Sequence, residues 1–381
     1  MKMHVMFIPS WYSNSRNKVH GSFFKEQALA LSESGVKISI AFNEIWPLTL
    51  MGKVQEKKGL NIEIEDGLKT YRYRNYNYLP KNPLMFKIFN KRMDLLYKNI
   101  VKNEGKVDLI HAHSSFWGGI SAAYISKKYN IPLVITEHSS LKKAKYVKES
   151  YRKYILNAYQ NASKLIAVGE GLKKELEEFT GRDDIIFIPN MLDFNMFKPE
   201  KVHKNEEFTF FSLAFLEGEK GMDILIKTFA KTFKDKKAKL VIGGDGSQKQ
   251  ELEKLSEDLQ VKDKVEFLGA LSREEVVTCM NKCDSFVLAS RHETFGIVYI
   301  EALACGKPVI GTYNGGAEGI INSHNGLIVP IDDECKLGNA MKNIIKNYNE
   351  YNAMDIIEQC KARYSKENIV NEILKIYNTT I

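Results

Sequence analysis

Glu293 and Glu301 are separated by seven residues in the stretch SFVLASRHETFGIVYIEALACGKPVIGT. Its two apolar runs, with a polar break between them and Gly306 and Pro308 at the end, predict a strand, a loop and a helix. If the helix begins near Gly296, Glu293 stands in the loop and Glu301 lies roughly 7–8 Å farther along the axis. The pair can then touch different parts of one extended ligand. The N-terminus of such a helix suits a diphosphate, because free backbone N–H groups and the positive dipole end favour anions, and Gly296 lets that anion come close. A carboxylate deeper in the helix can accept two charge-assisted hydrogen bonds from a vicinal diol such as that of ribose. Glu301 fits this role, since its neighbours are apolar and a carboxylate there needs a partner.

Other residues with usable chemistry stand where runs of β-type residues end. His138 follows PLVI in TEH, and His111 and His113 close LIHAHSS. A histidine pair two residues apart can ligate a metal, but no third ligand stands at convincing spacing. Structural or acceptor-side roles are expected for these two, and no metal site is assigned. GGDGSQKQ at 243–250 predicts a glycine turn between strand and helix. There Gly244 and Gly246 either make the turn or let a nucleotide approach. Lys220, in GEKGMDILIKTF, reads by itself as a solvated lysine at a helix end.

The elements that must position these groups alternate from end to end. VMFIP, VKISIAF, VDLIHAH, PLVIT, KLIAV and IIFIP read as strands of a first domain, with GSFFKEQALALSESG and WGGISAAYISKKYN helical between them. FTFFSLAF, KLVIGG, KVEFLG, SFVLAS, KPVIGT and NGLIVP form a second series. The fold class is therefore α/β, with two parallel-sheet domains. Pro189 and Pro199 bracket a pause in both patterns, so the expected boundaries are a first domain at 1–190, a linker at 191–199, a second domain at 200–364 and a terminal helix at 365–381. Ligands of open α/β sheets bind outside the strands' carboxyl ends, which is where the candidate residues fall.

Composition bounds the rest. A chain of 381 residues with 44% hydrophobic and 27% charged residues is globular and long enough for two cores. No apolar run reaches the ~18–20 residues of a membrane span and the start lacks a secretory signal, so a cytoplasmic location is expected. The five cysteines are expected to be reduced, buried packing residues. Residues 1–200 hold 31 Lys and Arg against 20 Asp and Glu, a net of +11, whereas the remainder carries −3. The basic half can face an anionic membrane or a phosphate-bearing acceptor, most of all through LKKAKYVKESYRK, where Lys142, Lys143, Lys145, Lys148, Arg152 and Lys153 cluster. Phe86 and Phe89, in NPLMFKIFNKR, are expected to be exposed and to add to that surface. Nucleic acid is not expected as a partner, since no reader motif accompanies the charge.

With these residues in view, the sequence resembles retaining glycosyltransferase family 4, whose GT-B fold sets two Rossmann-like domains facing across a cleft. The resemblance runs through nearly the whole chain. Its most specific part is E-TFGIVYIEALACGKPVI-T with NGG at 314–316 and NGLIVP at 325–330, where Glu293 and Glu301 match the family's paired glutamates. IPSWYSNSRNKVHGSFFKEQALAL is similar to the opening of polysaccharide-assembly members, and IPNMLDFNMFKP to the family linker. The resemblance implies that Glu293 and His138 lie by the donor sugar and that Glu301 binds the ribose. It also implies that Lys220 binds the diphosphate and that Gly21 lets that diphosphate approach the amino-terminal loop. Phe215 occupies the place of a family arginine five residues before the lysine, and Arg291 is the candidate for the missing positive contact.

The activity so implied is hexosyl transfer with retention, from a nucleotide-sugar donor, with UDP-sugar favoured, to a glycan or lipid-linked glycan acceptor in cell-surface polysaccharide assembly. No metal or other cofactor is required, and the protein is expected in the cytoplasm or peripherally on the inner membrane face. The alternatives are a GT-B nucleotide-sugar epimerase or phosphorylase, and a non-catalytic partner subunit of another transferase.

Overall fold

The structure, a computed structural model, describes residues 2–16, 21–144, 147–203 and 205–381. Two compact units emerge: Met1–Val168 with Leu172–Pro189 and Ile369–Ile381 in one, Gly169–Gly171 with Asn190–Asn368 in the other.

The first unit is built on β1 (His4–Pro9), α1 (Ser22–Glu33), β2 (Lys37–Trp46), β3 (Gly59–Glu65), β4 (Leu68–Tyr76), α2 (Met85–Glu104), β5 (Leu109–His113), α3 (Ile120–Tyr129), β6 (Leu133–Glu137), α4 (Glu149–Asn161), β7 (Lys164–Ala167), α5 (Glu170–Thr180) and β8 (Ile186–Phe187). The eight strands are ordered β3-β4-β2-β1-β5-β6-β7-β8, parallel throughout except at β3–β4. The central strands read as unbroken apolar runs because helices cover both faces of a parallel sheet, and all six residues of β1 are buried. Strand order reverses around β1, so the loops after β1 and β5 flank a switch point, the usual ligand position in such sheets.

The β3–β4 hairpin was not among the expected strands. Asp66 and Gly67 turn it with φ of 50° and 83°, the doubly positive pair that two-residue hairpins need. Its facing residues carry charge rather than a clean apolar alternation. Arg72 and Arg74 reach Glu63, Glu65 and Glu44, and Arg16 joins Glu44 and Glu56. These three arginines and four glutamates offset one another, so the first unit's basic surplus lies elsewhere. Phe86 and Phe89 correct a second expectation: both are buried, because α2 turns them onto an aromatic cluster with Trp117, Tyr151 and Tyr154.

The second unit carries β9 (Phe208–Leu213), α6 (Met222–Phe233), β10 (Ala238–Gly243), α7 (Lys249–Asp258), β11 (Val265–Gly269), α8 (Arg273–Lys282), β12 (Ser285–Val287), α9 (Ile297–Ala304), β13 (Val309–Thr312), β14 (Gly326–Val329), α10 (Glu334–Lys346), α11 (Ala353–Tyr364) and the start of α12 (Lys366–Thr380). Its six strands are all parallel, in the order β11-β10-β9-β12-β13-β14. Here the order reverses between β9 and β12. Cys283, Cys305 and Cys360 are buried free thiols, but Cys279 is half-buried and Cys335 exposed on the outer face of α10, so packing accounts for only three of the five. Among the described residues no helix is long and apolar enough to cross a membrane.

Candidate active site

Lys220 ends a 3-10 turn, Gly218–Lys220, in the loop after β9. Gly221 follows with φ of 65°, and a Cβ there would stand 2.0 Å from the carbonyl oxygen of Ala289. The loops after β9 and β12 thus touch backbone to backbone, and only glycine permits it. The contact is laced by hydrogen bonds. The Arg291 amide donates to Glu219 O at 2.8 Å, Ser290 Oγ donates to the same carbonyl at 3.2 Å, and the Arg291 guanidinium donates to Gly218 O. Across this contact Lys220 Nζ donates to Glu293 Oε1 at 2.6 Å, with the lysine side chain 26% and the carboxylate 12% exposed.

Arg291 has further partners. Its guanidinium grips Asp223, on the first turn of α6, at 3.0 and 3.2 Å and reaches Asp332 at 2.8 and 3.1 Å. The hydrogen bond to Asp223 raises the arginine's pKa. In return the arginine holds the Asp223 carboxyl below its usual range, against the opposing effect of burial. Through these contacts Arg291 ties the Gly218–Lys220 turn to α6 and to Asp332.

Gly296 caps α9 in the left-handed region, φ 86°, and Glu301 lies buried five residues on. This is the predicted strand, loop and helix. Glu293 is fixed from a third loop, after β13, through its amide to Asn314 O at 2.9 Å. The Asn314 side chain organises that loop: Oδ1 accepts from the amides of Gly316 and Ala317, and Nδ2 donates to the Tyr299 hydroxyl of α9 and to Thr312 Oγ1. Lys220, Arg291, Glu293, Gly296 and Glu301 are therefore brought together on the loops and helix that follow β9 and β12.

Gly244 and Gly246 lie after β10, and their glycines answer a need within the protein. Cβ atoms there would stand 1.8 Å from Ala214 O and 2.5 Å from Leu216 O. The chain on either side of Phe215 presses against this turn, while Phe215 itself is 79% exposed.

Gly21 and His138 belong to the first unit. Gly21 caps α1 with φ 72°, where a Cβ would stand 2.7 Å from Trp11 O. His138 is buried and its Nε2 pairs with His113 Nδ1 at 3.1 Å; its Nδ1 has no hydrogen-bond partner among the described residues. Burial lowers its pKa to about 3, with His111 adding to the effect, so the imidazole is neutral at physiological pH. The turn that carries it hangs on Glu137, whose buried carboxylate accepts from the amides of His138, Ser139 and Ser115 and from the Tyr159 hydroxyl. His111 is flanked by Tyr377 at 2.6 Å and Thr136 at 2.8 Å, a packing role. Sequence reasoning gave no role to Asp223, Asn314 or Glu137. All three stand inside motifs it quoted or beside Lys220, and that proximity was the available signal.

Two family models divide the chain: Glycosyltransferase Family 4 matches residues 24–195 and Glycosyl transferases group 1 matches residues 193–359. An uncharacterised glycosyltransferase of Methanocaldococcus jannaschii is 32% identical over 289 residues, 74% of this chain and 77% of that protein. The α-monoglucosyldiacylglycerol synthase of Streptococcus pneumoniae is 26% identical over 56% of this chain, which spans about half (54%) of that relative's length. The HepE protein of Anabaena, solved in complex with UDP, has the same fold, with a TM-score of 0.75 over the whole of both chains at 19% identity. The chain belongs to glycosyltransferase family 4, of the group 1 glycosyl transferases, and has the GT-B fold. It is a glycosyltransferase that uses a nucleotide-sugar donor.

Proposed function

We propose that this enzyme transfers a hexosyl residue, with retention and without a metal, from a UDP-sugar to a glycan or lipid-linked glycan in cell-surface polysaccharide assembly. The observation that carries the donor side is the Lys220–Glu293 pair, held between two loops at the switch point of the second sheet and beside the N-terminus of α9. A donor diphosphate there meets the Lys220 ammonium and the first amides of α9, which together balance the charge that grows as it leaves. Gly296, Gly244 and Gly246 let the donor come close to the backbone. Glu301 accepts from the ribose diol. Glu293 sits by the sugar as positive charge develops on it. Arg291 acts through Lys220, by fixing its turn.

The UDP bound to HepE supports a uridine donor, and the glycolipid in the name of the pneumococcal relative supports an acceptor at a membrane. Lys142, Lys143, Lys148, Arg152 and Lys153 are exposed, as a surface for anionic lipid requires, although Lys142 pairs with Glu178 and Arg152 with Glu149; Lys145 lies outside the described residues. Binding to phosphatidylglycerol vesicles should weaken with salt and on replacing Lys143 and Lys148 by glutamate; cosedimentation unchanged by both rejects this surface.

The donor reading is tested with the purified protein against UDP, GDP and ADP. A nucleotide at about 100 times its dissociation constant adds roughly 2.7 kcal/mol of stability, so UDP should raise the melting temperature most. Turnover of UDP-hexoses should survive EDTA and give product of unchanged anomeric configuration by NMR. Activity abolished by chelation and restored by magnesium, or an inverted product, overturns the mechanism.

A further inference from the structure

β3 is the outer strand of the first unit's sheet, and no strand lies beyond it among the described residues. Its register with β4 runs without a bulge from Gly59 opposite Arg74 to Glu65 opposite Leu68. In a two-residue hairpin the closing pair exchanges both backbone hydrogen bonds, and the direction of these groups reverses at each residue after it. Gly59, Asn61, Glu63 and Glu65 therefore turn their N–H and C=O groups towards β4. Leu60, Ile62 and Ile64 turn theirs outward, where a further strand would lie.

Natural sheets guard such an edge with proline, a bulge, lysine or other charge. GLNIEIE holds neither proline nor lysine. Its two glutamates are neutralised within the sheet: Arg74 grips Glu63 at 2.6 and 3.1 Å, and Arg72 grips Glu65 at 2.8 and 2.9 Å. On the opposite face of the strand Ile62 is 44% and Ile64 78% exposed.

We propose that β3 pairs antiparallel with β3 of a second copy of this chain, about a twofold axis through Ile62. Ile62 then meets its own counterpart, and Leu60 meets Ile64 of the second copy. All of these residues carry outward backbone groups, as the hydrogen bonds of an antiparallel pair require, and a twofold axis repeats each contact on both sides. Glu63 falls opposite Asn61 and Glu65 opposite Gly59, so no carboxylate faces another. At each end Lys58 of one copy comes to Asp66 of the other. Lys58 rests on the Tyr76 ring and stays exposed; Asp66 is exposed too, and its pairing with Lys25 leaves acceptor sites for a second ammonium. Shifting the axis to Glu63 would set that carboxylate against its own copy, and shifting it to Asn61 would set Ile64 against Lys58. An axis between two residues would oppose outward groups to inward ones. Hydrogen bonding, aliphatic contact and charge thus agree on one register.

An edge of seven residues makes a smaller interface than the standard size, so half-assembly is expected at about 10–100 µM. Sedimentation equilibrium of the full chain from about 1 to 500 µM should show monomer and dimer and nothing larger, because the pairing uses the free edge of β3 in each copy. Ile62→Lys sets two ammonium groups on the axis and should weaken the dimer at least about tenfold. Lys58→Glu, which lies outside the strand, should weaken it by setting carboxylates together at both ends. Adding Asp66→Asn to Lys58→Glu should recover part of that loss, and asparagine tolerates the positive φ at this position of the turn. Melting temperatures in dilute solution, where the parent is monomeric, check that each variant is folded. The proposal is overturned by a monomer throughout, by assembly beyond the dimer, or by a folded Ile62→Lys that pairs as tightly as the parent. A loss in Lys58→Glu that Asp66→Asn does not relieve, or no loss at all, overturns it as well.

Discussion

Removing Lys220 and Glu293 singly and together measures whether their contact is a working unit. Lys220→Met leaves a carboxylate that is nearly nine-tenths buried without its cation. Breaking a fully buried pair costs about 3–5 kcal/mol and losing a charged hydrogen bond about 1–3 kcal/mol. The lysine is a quarter exposed, which puts the expected loss near the lower range, about 2 kcal/mol. Glu293→Gln keeps an oxygen to accept from the ammonium and should cost about 1 kcal/mol. In the double variant neither charge is stranded, so the two losses should fall short of adding by about 1 kcal/mol, a coupling typical of residues in contact.

The same four proteins are assayed for donor turnover. If lysine and carboxylate act together on the leaving group and the sugar, each single change lowers kcat by about 10²–10³, and the double change adds little beyond the worse single one. Thermal melts read the stability cycle, at about 2–4 °C per kcal/mol for a unit of this size. Additive stability losses, within about 0.5 kcal/mol, would falsify the pair as a coupled unit. Turnover within about tenfold of the parent in Lys220→Met would remove the lysine from the mechanism.

Other substitutions divide the roles more finely. Arg291→Leu should unfasten the Gly218–Lys220 turn and lower kcat by about one to two orders of magnitude, and Arg291→Lys should not restore it, because an ammonium cannot reproduce the two-pronged grip on Asp223; rescue by lysine would show that charge alone suffices. Glu301→Gln should raise donor KM more than it lowers kcat, since the ribose contact is made in ground and transition states alike, whereas Glu293→Gln should do the reverse; steady-state titration of the donor reads both. Acid should weaken the first unit. Burial holds His111 and His138 at about 3 and His113 well below its usual value, so the unfolded chain binds more protons between pH 6.5 and 3. Their stability is complete above 6.5 and is lost as pH falls through that window, at about 1.4 kcal/mol per pH unit for each histidine fully titrating. Denaturant melts at pH 7.5, 6.5, 5.5 and 4.5 measure it, and a flat profile would mean that the histidines are not buried neutral.

The strands of both units were legible because parallel strands are buried on both faces and read as apolar runs, as VMFIP and SFVLAS do. The loop after β12 was legible for a related reason: Glu293, Gly296 and Glu301 lie within one strand, loop and helix, so spacing alone places them relative to one another. What escaped depended on contacts far apart in the chain. The β3–β4 hairpin carries arginines and glutamates that pair across strands, and that pairing hides the alternation a strand would otherwise show. Phe86 and Phe89 sit among lysines and looked exposed, yet α2 turns them onto Trp117 and Tyr151. The grip of Arg291 on Asp223, 68 residues earlier, likewise could not be read from its neighbours in the sequence.

The glycines make the same point from the other side. Gly244 and Gly246 stand in a motif that suggests bare backbone for a nucleotide and Gly221 follows Lys220, yet each is required already by a carbonyl of the protein within 2.5 Å of where a Cβ would lie. Those contacts press the loop after β9 against the loops after β12 and β10. The same contacts that exclude a side chain bring Lys220 to Glu293 and fix the stretch around Phe215. A glycine in these loops is thus a constraint on assembly before it is a door for a ligand. Gly221→Ala should for that reason disturb folding as well as turnover, through a strained φ and a backbone clash that no side-chain rotation relieves. Gly296→Ala meets the Tyr299 ring at 2.7 Å instead of a carbonyl. That ring is fully buried with its hydroxyl held by Leu288 O and Asn314, and Gly296 also has a positive φ, so Gly296→Ala should lower the melting temperature as Gly221→Ala does and weaken the donor as well. A melting temperature unchanged in Gly296→Ala would show that the buried ring can move aside after all.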